Sequence, residues 1–169
     1  VDIEDDATID FSNDPVRMYL REIGRVPLLD SHQEIWLSTQ QEAPAYLRSM
    51  QARLAASNGQ PPAEHELCEA VLESLCRAWS NASKLCGDMS LSPPDLGALI
   101  DEAKALHYQL VPDRSSHLSM FLERADQTDI GYEGWNAFTS QLFAVFMLLY
   151  LLPPTMLEWR HRWPNVAVF

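Results

Sequence analysis

Basic residues are scarce in this chain. Twelve Lys and Arg stand against 24 Asp and Glu in 169 residues, a formal net charge of −12. That excludes a whole-surface basic footprint for nucleic acid, so any contact with DNA or RNA must be local or depend on a partner. Cysteine is scarcer still: Cys68, Cys76 and Cys86 are odd in number and form no CxxC pair. No disulfide framework can rest on them, and they read as buried thiols of a reducing, cytoplasmic protein. A chain of this length buries roughly 70% of its unfolded surface and needs no such staple. Val, Ile and Thr number only 19 against 40 Leu and Ala. That balance excludes a β-sandwich or barrel and predicts an all-α chain, a compact bundle of about six or seven helices.

Long apolar runs are also missing. The most apolar stretch, residues 142–152, is eleven residues without a charge and is closed by Pro153-Pro154. A membrane span needs about 20 such residues, so a buried core helix is the better reading. The acidic start, Val1-Asp-Ile-Glu-Asp-Asp6, is the reverse of a signal peptide's basic n-region. No GxGxxG, P-loop, HExxH or GxSxG motif occurs. His65 and Cys68, three apart, lack a second pair of ligands, and an exposed His beside a half-buried thiol accounts for them. Asp101-Glu102 and Glu66/Glu69 read as solvated helix faces. The chain is therefore predicted to be no enzyme and to hold neither metal nor cofactor.

What is present is a series of capped helical stripes. Residues 1–13 form an acidic lead-in without apolar period, predicted to be disordered. Asp14-Pro15 opens a helix in which Val16, Tyr19, Leu20 and Ile23 share a stripe, with Val16 and Ile23 buried and Gly24 as the stop. After Arg25-Val-Pro-Leu-Leu29, a second helix starts at Asp30 or Ser31, where Ser31-x-x-Glu34 has the form of a capping box. Pro44 either kinks this helix or starts the next, and Tyr46, Leu47, Met50 and Leu54 carry the stripe on. Asn58-Gly-Gln-Pro-Pro62 is a break. Residues 63–86 follow, with Leu67, Val71, Leu75, Trp79 and Ala82 facing inward and Gly87 as C-cap. Ser92-Pro-Pro-Asp95 opens a helix, with Ser92 as a cap followed by Pro, and its buried face holds Leu96, Leu99, Ile100, Ala103, Leu106 and Leu110. Shorter helices are expected over 116–125 and 155–162. Between them lies the long apolar helix, 132–152, with Trp135, Phe138, Leu142, Val145, Phe146 and Leu149 on one side. The uncapped end, Asn165-Val-Ala-Val-Phe169, reads as a boundary inside a longer protein.

Two clusters combine aromatic and basic residues. Trp159-Arg-His-Arg-Trp163 has the ingredients for single-strand binding. Its position beside the apolar helix favours a structural role. In Arg17-Met-Tyr-Leu-Arg21, Arg17 and Arg21 are one turn apart on one helix face. Two guanidinium groups beside Leu20 suit a phosphodiester and a splayed base. They equally suit a plain solvated surface, and Asp14 and Glu22 reduce the local charge.

The stretch Asp14-Pro-Val-Arg-Met-Tyr-Leu-Arg-Glu-Ile-Gly24, then Val26-Pro-Leu-Leu29, then a helix with Glu34-Ile35, resembles region 1.2 of bacterial RNA polymerase sigma factors of the sigma-70 family, primary branch. The resemblance covers residues 14–42. Residues 43–169 then stand where that family carries its variable, usually helical, non-conserved region, packed with region 1.2. No Trp-Trp recognition helix or adjoining basic run of region 2 is present. The resemblance implies a role in promoter recognition and transcription initiation. The partners it implies are the RNA polymerase core and promoter DNA, with region 1.2 expected on the non-template strand of the discriminator. Carried over by position, the DNA-binding candidates are Arg17, Tyr19, Leu20 and Arg21. Arg17 and Arg21 would serve phosphates, and Leu20, where the family also uses Met, would pack on a base. The family's helix after Glu34 usually ends in a basic pair, whereas this chain has Thr39-Gln40. The rival reading is an acidic helical protein–protein interaction module without DNA contact. A weaker one is a peripheral membrane protein using residues 138–152.

Overall fold

The computed structural model describes residues 15–25, 28–110, 115–126 and 131–158. Among them there are seven helices and no strand: α1 (Pro15–Ile23), α2 (Ser31–Asn58), α3 (Glu64–Asp88), α4 (Leu96–Leu106), α5 (His117–Ala125), α6 (Gly131–Leu151) and α7 (Pro154–Glu158). The fold is all-α, as composition predicts. The chain divides into two units, residues 1–30 and 31–169. The lead-in 1–13 and the Trp159–Trp163 cluster lie outside the described residues.

In the larger unit α6 is the shared element. It packs most extensively on α3, then on α4 and α2, and more briefly on α5. Phe138, Leu142, Val145, Phe146 and Leu149 of α6 are completely buried. Each such side chain contributes about 1.5–3 kcal/mol of burial. Length and composition alone would let α6 cross a membrane, yet these residues face the protein core that Val71, Leu75, Leu99 and Ile100 complete.

Several boundaries differ from expectation, each for a local reason. Pro44 neither ends α2 nor starts a new helix; α2 runs through it for 28 residues, with Pro44 on the exposed side. Packing of Ala43 and Met50 into the core holds the helix together across the missing N–H donor. Ser31 is the first residue of α2, and its hydroxyl donates to Glu123 Oε1 at 3.3 Å. Gly87 lies inside α3 and is not its cap. The helix ends one residue later, at Asp88, in a Schellman motif with Met89 as C-cap and Ser90 in the left-handed region (φ 56°). There the Leu91 N–H donates to the Cys86 carbonyl (2.8 Å) and the Ser90 N–H to that of Gly87 (3.0 Å). The cap of α4 is Asp95 rather than Ser92. Its carboxylate accepts from the N–H groups of Gly97 (2.8 Å) and Ala98 (3.3 Å). Because α4 ends at Leu106, Leu110 falls beyond it and is 74% exposed. Ser116 caps α5 by accepting from the Ser119 N–H at 3.1 Å. Of the three thiols, only Cys86 is buried; Cys68 is half-buried and Cys76 exposed.

The largest departure is Glu102. It is not on a solvated face but completely buried. Its Oε1 accepts from the Trp36 indole N–H at 2.6 Å. Its Oε2 accepts from the N–H groups of His117 (2.7 Å) and Leu118 (3.4 Å). One carboxylate thus ties α2, α4 and the start of α5 together. It also satisfies donors that a helix N-terminus leaves without intrahelical partners.

Candidate nucleic-acid interface

Helix α1 is nine residues long, and Pro15 is its first residue, where the missing N–H costs nothing. It ends where sequence reading puts its stop. The Gly24 N–H donates to the Leu20 carbonyl at 3.0 Å and the Arg25 N–H to that of Glu22 at 3.2 Å. A Cβ on Gly24 would stand 3.1 Å from the Leu20 carbonyl oxygen, tight enough that only glycine fits without a shift.

No residue of α1 is buried. Sequence reading places Val16 and Ile23 in a buried stripe; they are instead 61% and 48% exposed. A single nine-residue helix has too little surface to bury its own apolar side, and no other helix is described in residues 1–30. Tyr19 and Leu20 are 64% and 56% exposed. Arg17 and Arg21 are exposed too, four residues apart and therefore on one face. All four candidate residues are thus brought onto one short helix that has no buried residue. Arg25, a further four residues on and also exposed, was not singled out from sequence. The four-residue spacing of Arg17, Arg21 and Arg25 is the signal that marks it.

Residues 31–43 behave differently. Ile35, Trp36, Thr39 and Ala43 are buried in the core of the larger unit. The Thr39 hydroxyl donates to the Ile35 carbonyl at 2.7 Å, and the Gln40 side-chain amide donates to the Leu110 carbonyl at 3.0 Å. Thr39 and Gln40 therefore serve the fold. Every Lys or Arg between positions 14 and 43 is an arginine of the first unit.

His65 and Cys68 join no group of three or more potential metal ligands among the described residues. Burial raises the pKa of the Cys86 thiol, which makes it a packing group and a poor nucleophile.

Residues 14–43 match the family described as Sigma-70 factor, region 1.2. The match begins one residue before α1 and ends one residue before Pro44, close to the middle of α2. It supports a sigma-70 region 1.2 in this chain and, with it, a sigma-factor role in transcription initiation. No solved structure matches the chain significantly.

Proposed function

We propose that this chain is the N-terminal part of a primary-type sigma factor, acting in the cytoplasm with the RNA polymerase core in promoter recognition. In this reading α1 lies against the unwound non-template strand of the discriminator. Arg17 and Arg21 hold consecutive phosphates, and Leu20 packs on a base with Tyr19 beside it. The action is placement rather than catalysis. Residues 43–169, the variable region, act as a rigid spacer and a protein-contact surface. The observation that carries the reading is the combination of the family match with an α1 that has no buried residue. An amphipathic helix with two cations on one face and bare apolar groups beside them is built for an external ligand, and a single strand offers both phosphates and base faces.

The test uses the complete parent protein assembled on polymerase. Loss of one phosphate contact weakens the complex across sequences and in a salt-dependent way. Arg21→Ala is therefore expected to shorten open-complex lifetime on most promoters. Leu20→Ala is expected to cost about 1–3 kcal/mol of stacking, unevenly with discriminator sequence. Assembly with the core should be unchanged for both. Lifetimes unaffected by Arg21→Ala on several discriminators would remove α1 from the interface.

The acidic interaction-module reading keeps one observation in its favour: the larger unit presents an acid-rimmed apolar groove. That reading excludes DNA contact, so an effect of Arg21→Ala on open-complex lifetime would decide against it.

A further inference from the structure

Two shallow depressions of about 490 and 390 Å³ adjoin on the larger unit, sharing Ser38 and Phe143. One wall is residues 31–42 of α2, the opposite wall is α6, and α5 closes one end. The floor is apolar, with Ile35, Leu122, Trp135, Phe143, Ala144 and Met147 lining it. Phe143 is 36% exposed, unusual for an aromatic on the central helix of a bundle. Glu34, Glu42, Glu123 and Asp126 stand around this floor, all exposed, and among the described residues no Lys or Arg lines it.

We infer that this groove docks an amphipathic helix of a protein partner that carries Lys or Arg beside an apolar stripe. Charge decides the class of partner. Four carboxylates around an apolar floor repel nucleic acid, and a second copy of a chain of net charge −12 would bring the same acidic rim to the contact. Only a basic partner gains both apolar burial and charge pairing. Length decides its form. Residues 31–42 span about 16 Å along α2, or three turns, so a helix with apolar anchors at i, i+4 and i+7 reaches both depressions. One acid is already positioned. Glu123 Oε1 accepts from the hydroxyls of Ser31 (3.3 Å) and Ser119 (3.2 Å), which fixes an acceptor at the α5 end of the groove. Along α2, Glu34, Ser38 and Glu42 form an i, i+4, i+8 row beside the floor. This inference deepens the protein-contact part of the proposed function, and it stands whether or not α1 touches DNA.

The experiment uses the whole 169-residue chain and three labelled peptides of about fourteen residues. The first is built from Leu and Lys, with Leu at i, i+4 and i+7. The second has the same composition in an order that breaks the stripe. The third has Glu for each Lys. Fluorescence anisotropy at physiological salt measures binding, and amide chemical shifts locate it. The first peptide is expected to bind, moving amides of residues 34–42 and 135–147. The second should bind at least about tenfold more weakly, and the third not at all. The double variant Glu34→Lys/Glu42→Lys should weaken the first peptide about tenfold without changing the melting temperature, because both side chains are exposed. Phe143→Ala should weaken it in the same direction. Equal binding of the striped and scrambled peptides, shifts that map elsewhere, no binding at all, or indifference to the charge reversal would each overturn the inference. So would a dimer in sedimentation that Phe143→Ala dissociates, because the groove would then belong to a second copy.

Discussion

Replacing Glu102 by Gln changes one atom and reverses the chemistry of a buried node. The carboxylate accepts from three donors: the Trp36 indole on one oxygen and two backbone N–H groups of α5 on the other. An amide keeps one acceptor oxygen and puts an NH₂ where the other stood, so a donor meets a donor in a site with no water access. If the amide nitrogen faces α5, the His117 and Leu118 N–H groups lose their acceptor; if it faces α2, Trp36 does. A buried donor left unsatisfied costs about 1–3 kcal/mol. Glu102→Gln is therefore expected to cost about 2–4 kcal/mol, a large share of a typical 5–15 kcal/mol total. At about 2–4 °C per kcal/mol for a chain of this size, the melting temperature should fall by roughly 4–16 °C. Trp36→Phe removes one donor and leaves the α5 bonds intact, so it should cost less through this node. The double variant should then be less destabilised than the sum of the two, because the Gln amide no longer faces an indole N–H. Urea unfolding gives the free energies. Amide hydrogen exchange at His117 and Leu118 gives the local signature: faster in Glu102→Gln, unchanged in Trp36→Phe beyond the global shift. A Glu102→Gln variant within about 0.5 kcal/mol of the parent chain, or strict additivity in the cycle, would refute the node.

The other predictions concern backbone and titration. Gly87→Ala adds a Cβ that meets nothing within 4 Å inside a helix, and Ser90→Gly relieves a left-handed residue. Each should stabilise by about 1 kcal/mol in thermal melts. If Gly87 were the left-handed cap, Gly87→Ala would instead destabilise. Pro44→Ala restores a donor on the exposed side of α2 and should raise stability by up to about 3 kcal/mol; a lower melting temperature would mean that the bend at Pro44 is needed for packing. His107 stacks on Tyr150 with ring centroids 4.7 Å apart. Burial lowers its pKa below the ordinary histidine value, against a smaller opposite pull from backbone hydrogen bonds at Tyr150 and Leu152. The unfolded chain therefore takes up the proton first, and stability is lost as pH falls through about 6.5. His107→Gln should flatten the difference in melting temperature between pH 7.5 and pH 5.5. An unchanged difference would show that His107 titrates alike in both states.

Helical periodicity and capping residues made most of the larger unit legible. Leu99, Ile100, Ala103 and Leu106 of α4, and Phe138, Leu142, Val145, Phe146 and Leu149 of α6, are buried as their spacing predicts. Caps were legible to within a turn, because Pro and Gly mark where a helix can change but not which neighbour takes the left-handed or capping position. Ser90 and Asp95 took those roles from Gly87 and Ser92. Glu102 was misread by residue type, although its position was informative. It falls three residues after Leu99 and four before Leu106, squarely on the buried face. A carboxylate at such a position must find donors, and the indole of Trp36 and the start of α5 supply them from 66 and 15 residues away, beyond any local pattern. The candidate site was legible as a motif and not as packing. The apolar stripe of α1 looks buried by pattern alone, yet exposure depends on whether another element covers it, and none does among the residues described in its unit.

The division of the matched segment follows from where its charges lie. From residue 31 to 43 the exposed positions of α2 are Ser31, Glu34, Ser38, Gln41 and Glu42, with no Lys or Arg among them. A phosphate backbone approaching that face meets two carboxylates and no compensating cation, so the face repels DNA at any salt low enough for charges to matter. Its inward positions are committed to the core through Ile35, Trp36 and Ala43. Residues 15–25 present the opposite case: Arg17, Arg21 and Arg25 in a four-residue repeat, beside exposed Tyr19 and Leu20. Whatever capacity for nucleic acid the matched segment has must therefore reside in α1 and the turn after it. What α2 offers from the same segment is an anchor in the bundle and one acidic wall of a groove. If α1 takes DNA and the groove takes a basic protein partner, as proposed, a short helix that carries the cations and a long one that carries the carboxylates keep the two from competing for the same residues.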